Sequence, residues 1–331
     1  MARIWRAGVL CCLAVFGCAK EVARTAVDVA SVPGVPPVAI SFDSVEAIRG
    51  AVESGAIQRV PEPGPVPESV VSTLGIPYVT RGADALVLDL YAPQSRTTSA
   101  PGLVFIHGGG WRGGSRSFYA AWCAHFAAKG YVCATIQYRF SDKVTFPGAV
   151  EDAMDAVRWM HEQADTIGVD REAIGVVGQS AGAHLALMAA YAPGVLSDMG
   201  EDSAAMPGIK AVAAFYPPTD FTVEGVRKLD PVQQFLGTRY ATHPELYSLA
   251  SPLSHVSGEN PPTLLVHGTV DEIVPVDQSD RLFDALRLAD VPCWYDRIEG
   301  WHHAMDLYVQ AHDHCLGVLE RFLETFLPVT K

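Results

Sequence analysis

Gly178-Gln179-Ser180-Ala181-Gly182, entered directly from the apolar run Ile174-Gly175-Val176-Val177, is the stretch on which the fold turns. A serine between two glycines, reached from a strand and left through a helix, fits a turn too tight for bulky neighbours. Gly178 and Gly182 lack Cβ atoms, so strand and helix can close on one another while Ser180 is pushed outward. A hydroxyl held that way, within reach of a base, is suited to nucleophilic acyl transfer. The pentapeptide alone recurs by chance in chains rich in Gly, Ser and Ala, so its weight comes from three further features.

His107-Gly108-Gly109-Gly110-Trp111 follows the strand-like Leu103-Val104-Phe105-Ile106. Consecutive glycines cost conformational entropy and belong where the backbone must approach something closely. The N–H groups of Gly108 and Gly109, with that of Ala181 after the nucleophile, are candidates to hold the oxyanion of a tetrahedral intermediate. A phosphate loop, the rival reading, would end in Lys-Ser/Thr, which is missing. Asp271 closes the apolar strand Thr263–His267 and its Gly268 turn, where open α/β sheets place their sites. Most loop aspartates merely cap a turn, and Glu272 is the alternative acid. His303 lies in Glu299-Gly300-Trp301-His302-His303-Ala304, and histidine, with an unperturbed pKa of about 6.5, suits proton shuttling near neutrality. His303 is preferred to His302 from its motif position. Ser180, Asp271 and His303 stand in the chain order this site requires, and gaps of 91 and 32 residues leave room for the intervening crossovers.

From Ile76 onward strands and helices alternate. Leu86–Tyr91 reads as a strand near the sheet edge, Leu103–Ile106 as a strand covered on both faces, and Val132–Gln137 as the next. Phe118–Lys129 reads as a helix stopped by Gly130. Between Gly148 and Ala164, Val150, Met154, Val157 and Met160 recur at helical spacing on one stripe. The pattern predicts a mostly parallel, doubly wound sheet with helices on both faces. Ala192–Ile209 and Thr219–Val256 interrupt the alternation and are expected to cover the site. Trp111 and Trp301, joined to the catalytic loops, are expected to line the substrate pocket.

The 331 residues are 49% hydrophobic, enough for a substantial core in one α/β domain, and 24 Lys and Arg against 37 Asp and Glu give a net charge of −13. That acidic balance argues against nucleic acid and against electrostatic attachment to anionic lipid. Arg3 and Arg6 precede an apolar stretch from Ala7 to Gly17, shorter than the roughly 20 residues a spanning helix needs. Val15-Phe16-Gly17-Cys18 resembles the cleavage box of bacterial lipoproteins. Residues 1–18 are therefore expected to be a signal peptide and Cys18 the lipidated residue, anchoring a periplasmic or outer-membrane protein secreted across the inner membrane. Residues 19–68, with Val32–Pro37 and Pro61–Pro67, read as a proline-rich linker or arm, leaving 69–331 as the catalytic domain. Cys123, Cys133, Cys293 and Cys315 permit three disulfide pairings, with Cys123–Cys133 and Cys293–Cys315 as candidates beside free buried thiols. No CxxC and no His/Cys cluster has metal spacing, so neither metal nor organic cofactor is expected.

These motifs, with Leu88-Asp89-Leu90-Tyr91, Gln137-Tyr138-Arg139, Asp152–Trp159 and Pro275-Val276, resemble those of the α/β-hydrolase carboxylesterases that carry an HGGGW loop, including bacterial feruloyl-, acetyl- and hormone-sensitive-lipase-like esterases. The likeness runs from about Ile76 to the C-terminus. It implies an α/β-hydrolase fold and a small-molecule ester substrate, hydrolysed through a Ser-His-Asp triad of Ser180, His303 and Asp271 and a covalent acyl-enzyme, with short-chain, acetyl or aryl esters as the expected class. Amide or peptide hydrolysis on the same fold, and a catalytically silent binding lipoprotein, are the rival functions. The chain departs from the group where Ala183 replaces a second glycine after the elbow.

Overall fold

The computed structural model of the protein describes residues 27–29, 32–60, 66–95, 99–194 and 206–330. The expected signal peptide and Cys18 lie outside the described residues. Among these described residues nine strands form one sheet: β1 (Val27–Asp28), β2 (Val70–Arg81), β3 (Asp84–Pro93), β4 (Ala100–Ile106), β5 (Val132–Ile136), β6 (Val169–Gln179), β7 (Ala211–Phe215), β8 (Thr263–Gly268) and β9 (Cys293–Ile298). Their order is β1-β9-β8-β7-β6-β4-β5-β3-β2. The β2–β3 hairpin and the β3–β5 pair are antiparallel, and every other pairing is parallel. The chain winds outward in one direction from β4 and in the other from β6, so the gap between these strands is the switch point at which such sheets bind ligands.

Both faces of the sheet are covered, which is why the central strands are apolar throughout rather than alternating. All seven residues of β4 and all five of β5 and of β7 are buried. On one face lie α2 (Ala120–Ala128) and the C-terminal helix α10 (Val309–Phe326), contributing Trp122, Phe126, Leu319 and Phe322 to a core with Phe105. On the other lie α3 (Gly148–Glu162), α5 (Ala181–Tyr191) and α9 (Asp277–Leu288). Val150, Met154, Val157 and Met160 form the buried stripe of α3, as their spacing predicts. A short helix α4 (Ala164–Ile167) follows α3 and ends at Gly168 in the left-handed region. Ala183, where the resemblance leads one to expect glycine, is wholly buried in this second core. The four cysteines are buried free thiols, so neither candidate disulfide forms.

The insertion between β7 and β8 folds into α6 (Glu224–Arg227), α7 (Asp230–Leu236), α8 (Pro244–Leu249) and a 3-10 turn at Pro252–His255. It is tied down at its root, where Gln278 Oε1 accepts from the amides of Thr219 and Asp220. Phe221 and Phe235 carry it onto α5 and the 107–111 loop.

Residues 32–60 are an arm packed along the C-terminal part of the domain rather than a free tether. Helix α1 (Val45–Glu53) is capped by the Ser44 hydroxyl and buries Ile48. The Phe42 amide donates to Gly300 O at 3.2 Å, and the Val60 amide to Leu307 O at 2.8 Å. The Pro36 carbonyl accepts from His314 on α10. No helix among the described residues is long and apolar enough to cross a membrane.

Candidate active site

The strand register decides where the polar residues go. Ile106 lies beside Gly178, Gln179 beside Phe215, and Gly268 beside Ile298, so β4, β6, β7, β8 and β9 end along one rim. Each of the loops that follow therefore opens on the same edge of the sheet. Ser180 enters its turn at φ +50° and ψ −119°, a conformation that non-glycine residues avoid and that active sites stabilise through their surroundings. Its amide donates to Phe215 O at 2.8 Å. The two flanking glycines are required: a Cβ at Gly178 would strike the backbone of Gly182, and one at Gly182 would strike the carbonyls of Ile106 and His107.

Two loops from the far end of the chain meet this turn. The Val270 amide donates to Trp301 O at 3.0 Å and the Gly300 amide to Thr269 Oγ1 at 2.8 Å, so the loops after β8 and β9 are zipped together. Gly268 has no room for a Cβ because the Trp301 carbonyl occupies that space. The outcome is a continuous hydrogen-bonded chain. The Ser180 hydroxyl lies 3.0 Å from His303 Nε2, and His303 Nδ1 lies 2.6 Å from Asp271 Oδ2. With Nδ1–H donating to the carboxylate, Nε2 is left to accept from the serine hydroxyl.

The Asp271 carboxylate is fully buried and saturated with donors. Its Oδ1 accepts from the amides of Ile273 (2.9 Å) and Val274 (2.8 Å), and its Oδ2 from His303 and from His267 Nε2 (3.1 Å). Burial alone would raise its pKa, but the hydrogen bonds from His267 and His303 outweigh that and hold the carboxyl below the usual carboxylate range. Glu272, the alternative acid, is exposed to solvent. Among the described residues His302 forms no hydrogen bond with Ser180 or Asp271; its ring packs against Tyr308, and burial lowers its pKa.

The 107–114 loop lies against the serine turn. Gly109, Gly110 and Gly114 take positive φ values of 122°, 61° and 113°. A Cβ at Gly108 would come within 3.3 Å of the Ser180 Cβ, which measures how closely the loop backbone approaches that serine. The amides of Gly108, Gly109 and Ala181 donate to no protein acceptor among the described residues. His107 stacks on Tyr138 with ring centroids 4.5 Å apart and donates from Nδ1 to Gly108 O at 2.8 Å. Burial lowers its pKa to about 4, so it is a neutral prop for the loop near pH 7.

The expectation that Trp111 and Trp301 line a substrate pocket is corrected. Trp111 is buried, stacked on Phe235 with centroids 4.6 Å apart and set edge-on to His184 and Phe221. Trp301 is wholly buried, donates from Nε1 to the Ile40 carbonyl at 2.7 Å and meets Phe42 edge-on. Both rings anchor the backs of their loops, where an aromatic side chain contributes most by burying its area. A hollow of about 370 Å³ on the insertion, lined by Leu236, Thr238, His243, Glu245, Leu246 and Leu249, includes none of the residues around Ser180. Three polar residues that the sequence did not single out also belong to this region: His267, Gln179 and Asp306. The only local sign of His267 is its position as the one polar side chain near the end of an apolar strand.

Comparison with known proteins gives the family. The BD-FAE family profile matches residues 88–286. Esterase LipQ of Mycobacterium tuberculosis is 32% identical over 282 residues, covering 79% of this chain and 64% of its own length. Esterase LipC of the same organism is 32% identical, covering 80% of this chain and 70% of its own. The chain thus spans about two thirds of these relatives. The propionate-bound structure of an esterase from Thermogutta terrifontis, Est2, superposes with a TM-score of 0.68 at 28% identity, covering 80% of this chain and 97% of that one. The same esterase has been seen phosphorylated by paraoxon, at 26% identity.

Proposed function

Since the chain belongs to the BD-FAE family of α/β-hydrolase carboxylesterases, we propose that it hydrolyses carboxylic esters through a covalent acyl-enzyme on Ser180. The observation that carries this reading is the unbroken chain of hydrogen bonds from Ser180 through His303 to Asp271. As Ser180 Oγ attacks the carbonyl carbon, His303 Nε2 takes its proton, and the buried Asp271 carboxylate stabilises the imidazolium that results. The amides of Gly108, Gly109 and Ala181 take up the charge on the carbonyl oxygen. His303 then gives its proton to the departing alcohol. A water, deprotonated by the same imidazole, then attacks the acyl carbon, and as the acid departs the imidazolium returns that proton to Ser180 Oγ.

The substrate class follows from analogy: a propionate occupies the Thermogutta esterase, which supports short acyl groups here as well. An organophosphate ester bonded to that relative supports a nucleophile of the same kind. For the N-terminus, the Arg3, Arg6 and Cys18 pattern supports export and lipidation at Cys18.

A panel of 4-nitrophenyl esters of increasing acyl length, with a matched anilide, tests the reading. Turnover is expected on acetate to butyrate, with the anilide far slower, and Ser180→Ala is expected to lose on the order of 10⁴- to 10⁶-fold in kcat. Retention of most activity by Ser180→Ala refutes the mechanism.

A further inference from the structure

Asp306 lies three residues beyond His303, in the 3-10 turn Met305–Leu307, and only 1% of its surface is exposed. Its Oδ1 accepts from the Tyr216 hydroxyl at 2.6 Å and its Oδ2 from Gln179 Nε2. Its backbone carbonyl accepts from His312 Nδ1 at 2.9 Å. No Arg or Lys forms an ion pair with it among the described residues. A carboxylate buried without a cation is costly to keep, and replacing such a group by a well-packed apolar one is often neutral for stability. Its hydrogen-bond partners therefore deserve a reason beyond stability, and their positions supply one.

Gln179 is the residue immediately before Ser180, the last of β6, and is itself buried. Tyr216 is the first residue after β7, held at φ +44°, with its amide bonded to Val266 O at 2.7 Å and its ring 4.5 Å from that of His303. Asp306 thus bonds, across 127 and 90 residues of chain, the two segments that flank the Ser180–His303 contact, while belonging to the turn that carries His303. The other end of that turn is held separately, by Thr269, Val270 and Phe42. Met305 packs into the core beside Phe215 and Tyr216, but among the described residues no hydrogen bond other than those of Asp306 runs from residues 304–308 to the strand ends beside Ser180.

We infer that Asp306 is a positioning residue: by joining Gln179, Tyr216 and its own turn, it sets the distance between the Ser180 hydroxyl and the His303 imidazole. This rests on the proposed Ser180 chemistry. Nucleophile and base must meet within hydrogen-bond reach, and a displacement of about 1 Å costs on the order of 100-fold in rate.

The test compares Asp306→Ala and Asp306→Asn in the full chain, at a temperature where circular dichroism shows each folded. Asp306→Ala is expected to lower kcat by about 10- to 100-fold with KM within about threefold, and to slow labelling by a fluorophosphonate in parallel. Asp306→Asn is expected to recover much of both, because its Oδ1 still accepts from Tyr216 and the Gln179 amide can turn its oxygen toward Nδ2. Gln179→Met and Tyr216→Phe each remove one bond and stand in if Asp306→Ala does not fold. They are expected to lower kcat by smaller amounts, and to add nothing in the Asp306→Ala background. The low-field proton resonance of His303 Nδ1–H bonded to Asp271 reads the same positioning without substrate. It is expected to shift or broaden in Asp306→Ala and persist in Asp306→Asn, even if no ester is turned over. Wild-type kcat with an unshifted resonance in Asp306→Ala, or in both single-bond variants, overturns the inference; so does a loss confined to melting temperature or to KM.

Discussion

The Gly182→Ala variant tests whether close packing of helix on strand is what presents the nucleophile. The new Cβ would stand 2.5 Å from the His107 carbonyl oxygen and closer still to that of Ile106, against 3.4 Å for ordinary contact. Neither acceptor is a flexible side-chain tip; both are backbone at the end of β4, whose seven residues are all buried. The start of α5 must therefore retreat by at least 0.9 Å, carrying Ser180, two residues before the substitution. A shift of that size at a nucleophile held 3.0 Å from its base is expected to cost about 100-fold in kcat/KM. Overpacking adds a stability loss of about 1–3 kcal/mol, read as a lower urea midpoint. Gly50→Ala is the control: Gly50 lies in α1 with nothing within 4 Å of the added methyl, and should keep full activity. If folded Gly182→Ala stays within threefold of wild type on 4-nitrophenyl acetate, the packing account of the serine turn is wrong.

The remaining predictions concern the N-terminal region. His314 has an acceptor at each ring nitrogen, Pro36 O at 2.5 Å and Asp296 Oδ2 at 2.6 Å, so the contact is complete only for the imidazolium. Burial would lower its pKa, but the hydrogen bond and charge of Asp296 and the Pro36 carbonyl raise it above 6.5; the stabilisation is then fully present below about pH 6.5 and lost as the pH rises through the raised folded-state value. Hydrogen exchange at residues 35–42 should accelerate between pH 6 and 9, beyond the intrinsic rise, in the wild type and not in His314→Gln; equal profiles in both would refute this. For the leader, cells fed labelled palmitate should yield labelled wild-type protein and unlabelled Cys18→Ala, and label in the variant would remove Cys18 as the acylated residue.

What could be read in the sequence was what leaves a local trace. Glycines around Ser180 and at 108–110, and an acid and a histidine placed just after apolar strands, are signs carried within a few residues of one another, because the turns they mark are local. The same holds for the α3 stripe and for the uninterrupted apolar strands. Residues whose meaning depends on a distant partner carry no such trace. Trp301 looks like a pocket residue from its neighbours, yet its indole bonds Ile40, 261 residues away. The prolines of residues 33–37 suggest a linker, since proline stiffens extended chain wherever it lies; distant contacts, such as that of Pro36 with His314, 278 residues on, and the packing of Val35 on the core, make the segment part of the fold. Asp306 and His267 resemble any other polar residue beside a strand or turn until Gln179, Tyr216 and Asp271 are brought to them.

The backbone itself shows how the rim was built. Of the five non-glycine residues with positive φ among those described, four (Trp111, Ser180, Tyr216 and Ala304) follow β4, β6, β7 and β9 or stand in the loops these strands feed. Each such conformation costs of the order of 1–3 kcal/mol, and it persists only where the surroundings leave no alternative. Here the surroundings are specific: Phe235 and His184 on Trp111, Gly182 under Ser180, Val266 and Asp306 on Tyr216. The parallel register brings the strand ends level, the cores on both faces keep them from shifting, and the strain falls directly past the sheet at Ser180 and Tyr216 and within the following loops at Trp111 and Ala304. Ser180, His303 and the amides facing them can then converge only because the sheet beneath is too well packed to relax the turns that hold them.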